Sequence, residues 1–231
     1  MMIAPQIVIS VSAPCNGSGK TSMILAILSA FPETFAVTKF TTIYREEQFC
    51  PAKDHDCACH RLDGDYLICR DPAVLSQPDT DTGKIWNAGA LQTLWCVAKP
   101  EGYPPMIQEY LSSHLRSNLP LLIEGNTILH HLRPHLRLAV VNPTLPASWW
   151  KQDATRLLQE ADFVVVNPIE SGSRGEDSSV TVEKIARVKD KSVAFEWNRS
   201  VEQWEDKRIY KTIGQLLRQT AEAPVKSSTC S

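Results

Sequence analysis

The 231-residue chain contains no apolar stretch of the about 18–20 residues that a membrane-spanning helix needs, so no helical span is expected. Nor does it carry an excess of one charge. Its 24 Lys and Arg stand against 26 Asp and Glu, which leaves no global basic field to gather nucleic acid or an anionic membrane surface. An even cysteine count is also missing: the seven cysteines argue against a secreted disulfide framework. There is no internal repeat. The N-terminus lacks a basic leader region, and its apolar run feeds straight into a glycine-rich loop. It therefore reads as a structural strand, and a cytoplasmic protein is expected. The length suits one α/β domain, or one domain carrying an insertion.

What is present begins at that loop. Ile7-Val8-Ile9-Ser10-Val11 reads as a strand and Met23 to Leu28 as a helix, with Ser12-Ala13-Pro14-Cys15-Asn16-Gly17-Ser18-Gly19-Lys20-Thr21 between them. Strand, glycine turn, Gly-Lys-Thr and helix together form the context of a phosphate-binding loop. Gly17 and Gly19 permit a backbone path that aims several N–H groups at one point, where a helix N-terminus also favours an anion. The stretch Asn16, Gly17, Ser18, Gly19, Lys20, Thr21 and Ser22 is the expected nucleotide contact. Within it, Lys20 reaches toward the β/γ-phosphates and the Thr21 hydroxyl suits Mg²⁺. Pro14 stands where the G-x-x-x-x-G-K-[ST] pattern has its first glycine.

Residues 6–13, 35–42, 65–70, 91–97, 119–123, 136–141 and 163–166 read as strands. Residues 20–30, 104–118, 148–160 and 196–220 read as helices, the first stopped by Phe31-Pro32. Residues 71–83 are rich in turn formers. Short apolar strands alternating with helices predict an α/β fold of the P-loop NTPase kind: a mainly parallel sheet with helices on both faces. Ligands of such sheets lie beyond the carboxyl ends of the strands. The expected organisation is a nucleotide-binding domain over 1–170 with an insertion at about 44–70, a flexible loop at 171–179 and a helical extension at 180–231. The apolar stripe Trp197, Val201, Trp204, Ile209, Ile213 and Leu216 or Leu217 either packs on the sheet or forms a homodimer face.

Glu124 ends the apolar strand Leu119–Ile123, where an acid can hold a Mg²⁺ shell or orient an attacking group. Asp79, Asp81 and Thr82 form an acidic turn of hard oxygen ligands. Lys20, Glu124 and Asp81 are the catalytic candidates, and Thr21 with Asp81 the Mg²⁺ candidates. Asn167-Pro168-Ile169-Glu170 follows a strand as Asn-Lys-x-Asp does in guanine-specific GTPases, with Pro for Lys and Glu for Asp; Asn167 and Glu170 are thus candidate base contacts, and a plain Asn-Pro turn explains them equally. Cys50, Cys57, Cys59 and His60 form a candidate Zn²⁺ knot, with an iron–sulfur cluster, free thiols or a redox pair as the other readings.

Several pieces now stand in order: the Gly-Lys-Thr loop, Thr38-Lys39, Pro78 to Thr82, Ala88-Gly89-Ala90 and Ile123-Glu124-Gly125. This set resembles the MobB-type molybdopterin-guanine dinucleotide biosynthesis proteins over roughly residues 6–170. Lys39 matches the first half of that family's Lys-His, and Asp81-Thr82 stands for its Asp-Ser. The cysteine-rich insertion and the C-terminal helical region are foreign to it. The resemblance implies a slow Mg²⁺-dependent GTPase in metal-cofactor assembly, with GTP or ATP and a cofactor-assembly protein as partners, and no nucleic acid or membrane. The alternatives are a small-molecule kinase and a nucleotide-switched metal chaperone or adaptor.

Overall fold

The computed structural model describes residues 7–43, 62–113, 119–167, 195–196 and 207–221. The candidate metal ligands Cys50, Cys57, Cys59 and His60 and the candidate base contact Glu170 lie outside these residues, as do 171–179 and the aromatic part of the C-terminal stripe.

The chain forms β1 (Val8–Ser12), α1 (Lys20–Ala30), β2 (Ala36–Thr42), β3 (Tyr66–Cys69), α2 (Pro72–Leu75), α3 (Asp81–Asn87) and β4 (Gln92–Ala98). It continues with α4 (Tyr103–Ser113), β5 (Leu121–Glu124), β6 (Leu136–Val141), α5 (Ala154–Glu160), β7 (Phe163–Val166), β8 (Phe195–Glu196) and α6 (Arg208–Ala221). The strands join in one sheet of order β3-β4-β2-β5-β1-β6-β7-β8. All neighbours run parallel except β3, which lies antiparallel to β4 at one edge. β1 is flanked on both sides and every residue in it is buried, which explains why its residues are apolar or small, with Ser10 and Ser12 as its two polar members. After β1 the chain turns toward β2 on one side; after β5 it crosses to β6 on the other. The crevice at that reversal, at the carboxyl ends of the strands, is where such sheets take ligands.

Strand alternation divides the core. Ile9, Val11, Val37, Leu122, Leu138, Val140 and Val165 pack against Met23, Ile24, Ile27 and Leu28 of α1, Ile85 of α3, and Ile209 and Ile213 of α6. Their neighbours Val8, Ala36, Phe40, Leu121 and Ile123 point the other way, against Tyr103, Met106, Ile107 and Tyr110 of α4. Ala139, Val141 and Val164 continue that second face beneath Leu158 of α5. Helices therefore cover both faces.

Three segments differ from the sequence expectation, the first being the helix expected over 196–220: Glu196 ends β8 through its pairing with Val166, and the described helix there is Arg208–Ala221. The turn-rich stretch 71–83 holds two short helices, each started by a side-chain cap. The Asp71 carboxylate accepts from the Ala73 N–H, and the Thr80 hydroxyl accepts from the Gly83 N–H at 2.9 Å. Residues such as these favour turns and helix starts alike, so composition alone did not separate the two. The helix expected over 148–160 begins only at Ala154. The Lys151 N–H bonds instead to the Pro14 carbonyl at 2.8 Å, which draws this stretch onto the glycine-rich loop and out of helical geometry.

Among the described residues no helix is long and apolar enough to cross a membrane.

Candidate functional site

The loop between β1 and α1 is fixed from three sides. The Asn126 side chain accepts from the Ala13 N–H at 3.1 Å and donates to the Ala13 carbonyl at 2.8 Å. It thus continues the β1–β5 ladder past the end of the strand. Within the loop, the buried Ser18 hydroxyl donates to the Cys15 carbonyl at 3.0 Å. From β7, the Asn167 amide donates to the Ser18 carbonyl at 3.0 Å. Gly19 holds φ at 102°, in the left-handed region, and the Asn167 amide occupies the space where a Cβ at 19 would stand. Any side chain at 19 would both strain the backbone and expel Asn167. The next residue, Lys20, begins α1, so the first-turn N–H groups open onto the loop.

Asn16 and Gly17 are exposed at the crest of the loop. Lys20, Thr21 and Ser22 are half-buried on the first turn of α1. Burial lowers the Lys20 ammonium pKa, and Lys151 and Lys39 nearby add to this against the pull of Glu124. An anion bound over the loop would relieve that penalty.

The acids expected from the sequence converge on the same place. Glu124, at the carboxyl end of β5, pairs in register with Val11 on one side and Lys39 on the other. Gly125 follows with φ at 148°, and a Cβ there would come within 2.9 Å of the Phe40 Cβ, so the turn after Glu124 needs glycine. The Thr21 hydroxyl donates to Glu124 Oε2 at 3.0 Å. The Lys39 ammonium donates to Glu124 Oε1 at 3.0 Å and to Asp81 Oδ2 at 2.5 Å. Asp81 enters from the first turn of α3, held there by the Thr80 cap. Burial alone would raise the Asp81 carboxyl, but Lys39 overcomes it and holds the group below its ordinary value. Burial likewise works against the Lys39 charge, and Glu124 and Asp81 outweigh it, so its pKa stands above the usual lysine value.

The structure therefore brings Lys20, Thr21, Asp81 and Glu124 together at one end of the sheet, with Asn16 to Ser22 beside them. Asn167 also reaches this end, through the carbonyl of Ser18 and the space above Gly19. Asp79 lies outside the cluster of bonds. Two residues were not among the site residues expected from the sequence. Lys39 drew notice only as part of a family resemblance, and its partners lie 42 and 85 residues away. Lys151 stands near enough to Lys20 to depress it and is tied to Pro14 through its backbone.

The donor set suits a hard divalent cation: a hydroxyl and two carboxylates, with no soft ligand. Among the described residues no group of three or more His, Cys, Asp or Glu is placed to hold a metal by itself. Mg²⁺ relies on few protein ligands and on substrate phosphates.

Sheet order, loop and helix settle the architecture. The chain has the α/β P-loop NTPase fold. No protein-family model and no curated protein sequence matches it. Among solved structures it is similar to LpxK from Aquifex aeolicus, described as an apo form in complex with ATP, at 17% identity and a TM-score of 0.41. That likeness covers 70% of this chain and 48% of LpxK, so this chain spans about half of that protein's length. It is also similar to HypB from Helicobacter pylori in complex with nickel, at 12% identity and a TM-score of 0.44, over 95% of this chain and 89% of HypB.

Proposed function

We propose that this chain binds a nucleoside triphosphate with Mg²⁺ and hydrolyses it slowly. One observation carries the reading. A loop shaped to present N–H groups, a half-buried lysine and a Thr–Glu–Lys–Asp network meet at the carboxyl end of one parallel sheet. In this reading residues 16–22 wrap the phosphates and Lys20 neutralises their charge. Thr21 with Asp81 or Glu124 would hold Mg²⁺, which offsets charge developing on the phosphoryl oxygens. Glu124, 3% exposed and hydrogen-bonded by Thr21, would orient an attacking water. The protein's contribution is positioning and electrostatics, with no covalent intermediate.

The finer reading is a GTPase in molybdopterin-type cofactor assembly. It is supported by the way Lys39, Asp81 and Glu124, scattered in the motifs that resemble the MobB type, form one network. Asn167 beside the phosphate loop is compatible with a contact to the base. A second reading, phosphoryl transfer to a small molecule, is favoured by the exposure of Asp81. Its side chain is 45% exposed where that of Glu124 is 3%, so Asp81 is open to an acceptor hydroxyl and able to take its proton.

Titration with fluorescent GTP and ATP analogues in Mg²⁺, competed by unlabelled nucleotide, tests the proposal. Saturable binding lost in Lys20→Ala is the expected result; binding unchanged by that substitution would overturn the site. Preference for GTP supports the assembly GTPase. Preference for ATP, with phosphate appearing on an acceptor, moves the assignment to a kinase.

A further inference from the structure

We infer that Lys39 is a selectivity residue: it keeps divalent metal out of the Asp81–Glu124 pair until a triphosphate arrives. The inference rests on the nucleotide reading above and adds a rule for the order in which its ligands are accepted.

The argument starts from what the ammonium touches. Lys39 Nζ lies 2.5 Å from Asp81 Oδ2 and 3.0 Å from Glu124 Oε1, while the other Glu124 oxygen takes the Thr21 hydroxyl at 3.0 Å. Both Glu124 oxygens and one Asp81 oxygen are therefore already engaged, and a cation of the protein's own stands between the two carboxylates. Lys39 is 17% exposed and Glu124 3%, so water screens that pair poorly, whereas Asp81, 45% exposed, is screened more.

Charge then decides which ligands enter. Lys20 and Lys39 balance Asp81 and Glu124, and Lys151 adds a further positive charge beside Lys20. A bare divalent cation would add two positive charges to a set that is already neutral or better. To reach both carboxylates it would also have to evict Lys39, leaving a desolvated ammonium with no partner. A triphosphate changes both conditions. It brings several negative charges to the loop, and its outer oxygens offer the displaced ammonium a new anionic partner. Metal and nucleotide thus bind with positive coupling, and Lys39 is the group through which the coupling passes.

The backbone supports this role. Lys39 sits inside β2, paired to Glu124 on one side and Trp95 on the other, so its main chain is fixed and only its side chain can swing. Because the phosphates themselves hold part of a Mg²⁺ shell, nucleotide raises metal affinity whatever Lys39 does; an ion pair serving stability alone would leave the metal affinity of the nucleotide-free protein unchanged when Lys39 is neutralised.

Equilibrium dialysis of Mn²⁺ against the full chain, with and without a non-hydrolysable triphosphate analogue, tests the inference. Neutralising Lys39 should narrow, by about tenfold, the gain in Mn²⁺ retention that the analogue gives wild type. Lys39→Met should retain Mn²⁺ about tenfold more tightly than wild type when the analogue is absent, and Lys39→Arg should restore the exclusion. If the analogue is retained and raises Mn²⁺ retention by the same factor in wild type and in folded Lys39→Met, the inference is overturned while the nucleotide reading stands. Where Lys39→Met does not fold, Lys39→Gln, which keeps a hydrogen-bond donor toward the two carboxylates without the charge, makes the same comparison. If folded Lys39→Met matches wild type without analogue, Lys39 is only structural and the inference falls. If the analogue itself is not retained, both readings fall together.

Discussion

Thr38 and Lys39 are adjacent in β2 and point to opposite faces of the sheet, and the two faces treat polarity differently. On one, the Thr38 hydroxyl meets the Tyr110 hydroxyl at 3.0 Å in a wholly apolar setting that raises the Tyr110 pKa by burial. Phe40 packs edge-on against the same ring, with centroids 5.0 Å apart. On the other face, Lys39 joins two carboxylates at the mouth of the phosphate loop. The first pair is neutral, closed and satisfied. The second is charged, partly open and built of groups that a ligand can re-partner. A buried ion network contributes little net stability relative to apolar packing, so its presence points to binding chemistry rather than to holding the fold.

That contrast predicts which measurement each face will move. Tyr110→Ala should cost about 3–5 kcal/mol of stability through the cavity it leaves, read as a lower denaturation midpoint. Its folded fraction should still bind nucleotide with wild-type affinity, and a large affinity loss would show that the faces are not separate. Lys20→Ala should do the reverse. Triphosphate affinity should fall by roughly a hundredfold, in line with the about 1.5–3 kcal/mol of each hydrogen bond to a charged group. Its thermal midpoint should hold or rise, since burial works against the Lys20 charge in the free protein. Tyr110→Phe keeps the ring and removes only the hydroxyl, so a loss near 1 kcal/mol is expected, with binding unchanged.

The smallest effect concerns pH. The Asp81 carboxyl is held below its ordinary value of 3.8, so its ion pair stabilises the fold above about pH 4 and is lost as the pH falls through the lowered value. The Lys39 ammonium is held above 10.5, so its contribution is complete below that pH and is lost as the pH rises beyond it. The difference in melting temperature between wild type and Asp81→Asn should be flat through neutrality and shrink toward strong acid. Because Asp81 is 45% exposed, the difference should be small and should weaken with salt. A difference that grows on acidification would contradict the pairing with Lys39.

The parts of the fold that were legible in the sequence are those with strong local signals. α1 runs from Lys20 to Ala30, as its apolar spacing and Phe31-Pro32 predict, and β6 and β7 match their apolar runs. α3 was hidden because Thr80-Asp81-Thr82-Gly83 is as good a turn as a helix start. Only packing distinguishes them: a Cβ at 83 would collide with the Gln77 carbonyl, so Gly83 serves close approach rather than a bend. The missing first half of the helix at 148–160 was set by the Lys151–Pro14 hydrogen bond, a contact 137 residues long that no local pattern encodes. The same distinction holds in the site. Lys20 and Thr21 follow from one continuous motif, whereas the bond from Lys39 to Glu124 depends on strand register, which periodicity leaves open.

The strand order carries one more consequence, for how the protein is made. β1 sits at the centre, yet its partners come late: Val8 lies opposite Leu121 and Ile9 opposite Leu136. During synthesis the chain grows at about 5–20 residues per second, so this wholly buried strand waits for several seconds with both edges bare. The phosphate loop therefore leaves the ribosome well before the strands that give it its shape. A nascent chain halted between β4 and β5 would display an unpaired apolar strand, ready to join another chain, and would depend on a chaperone until β6 is complete.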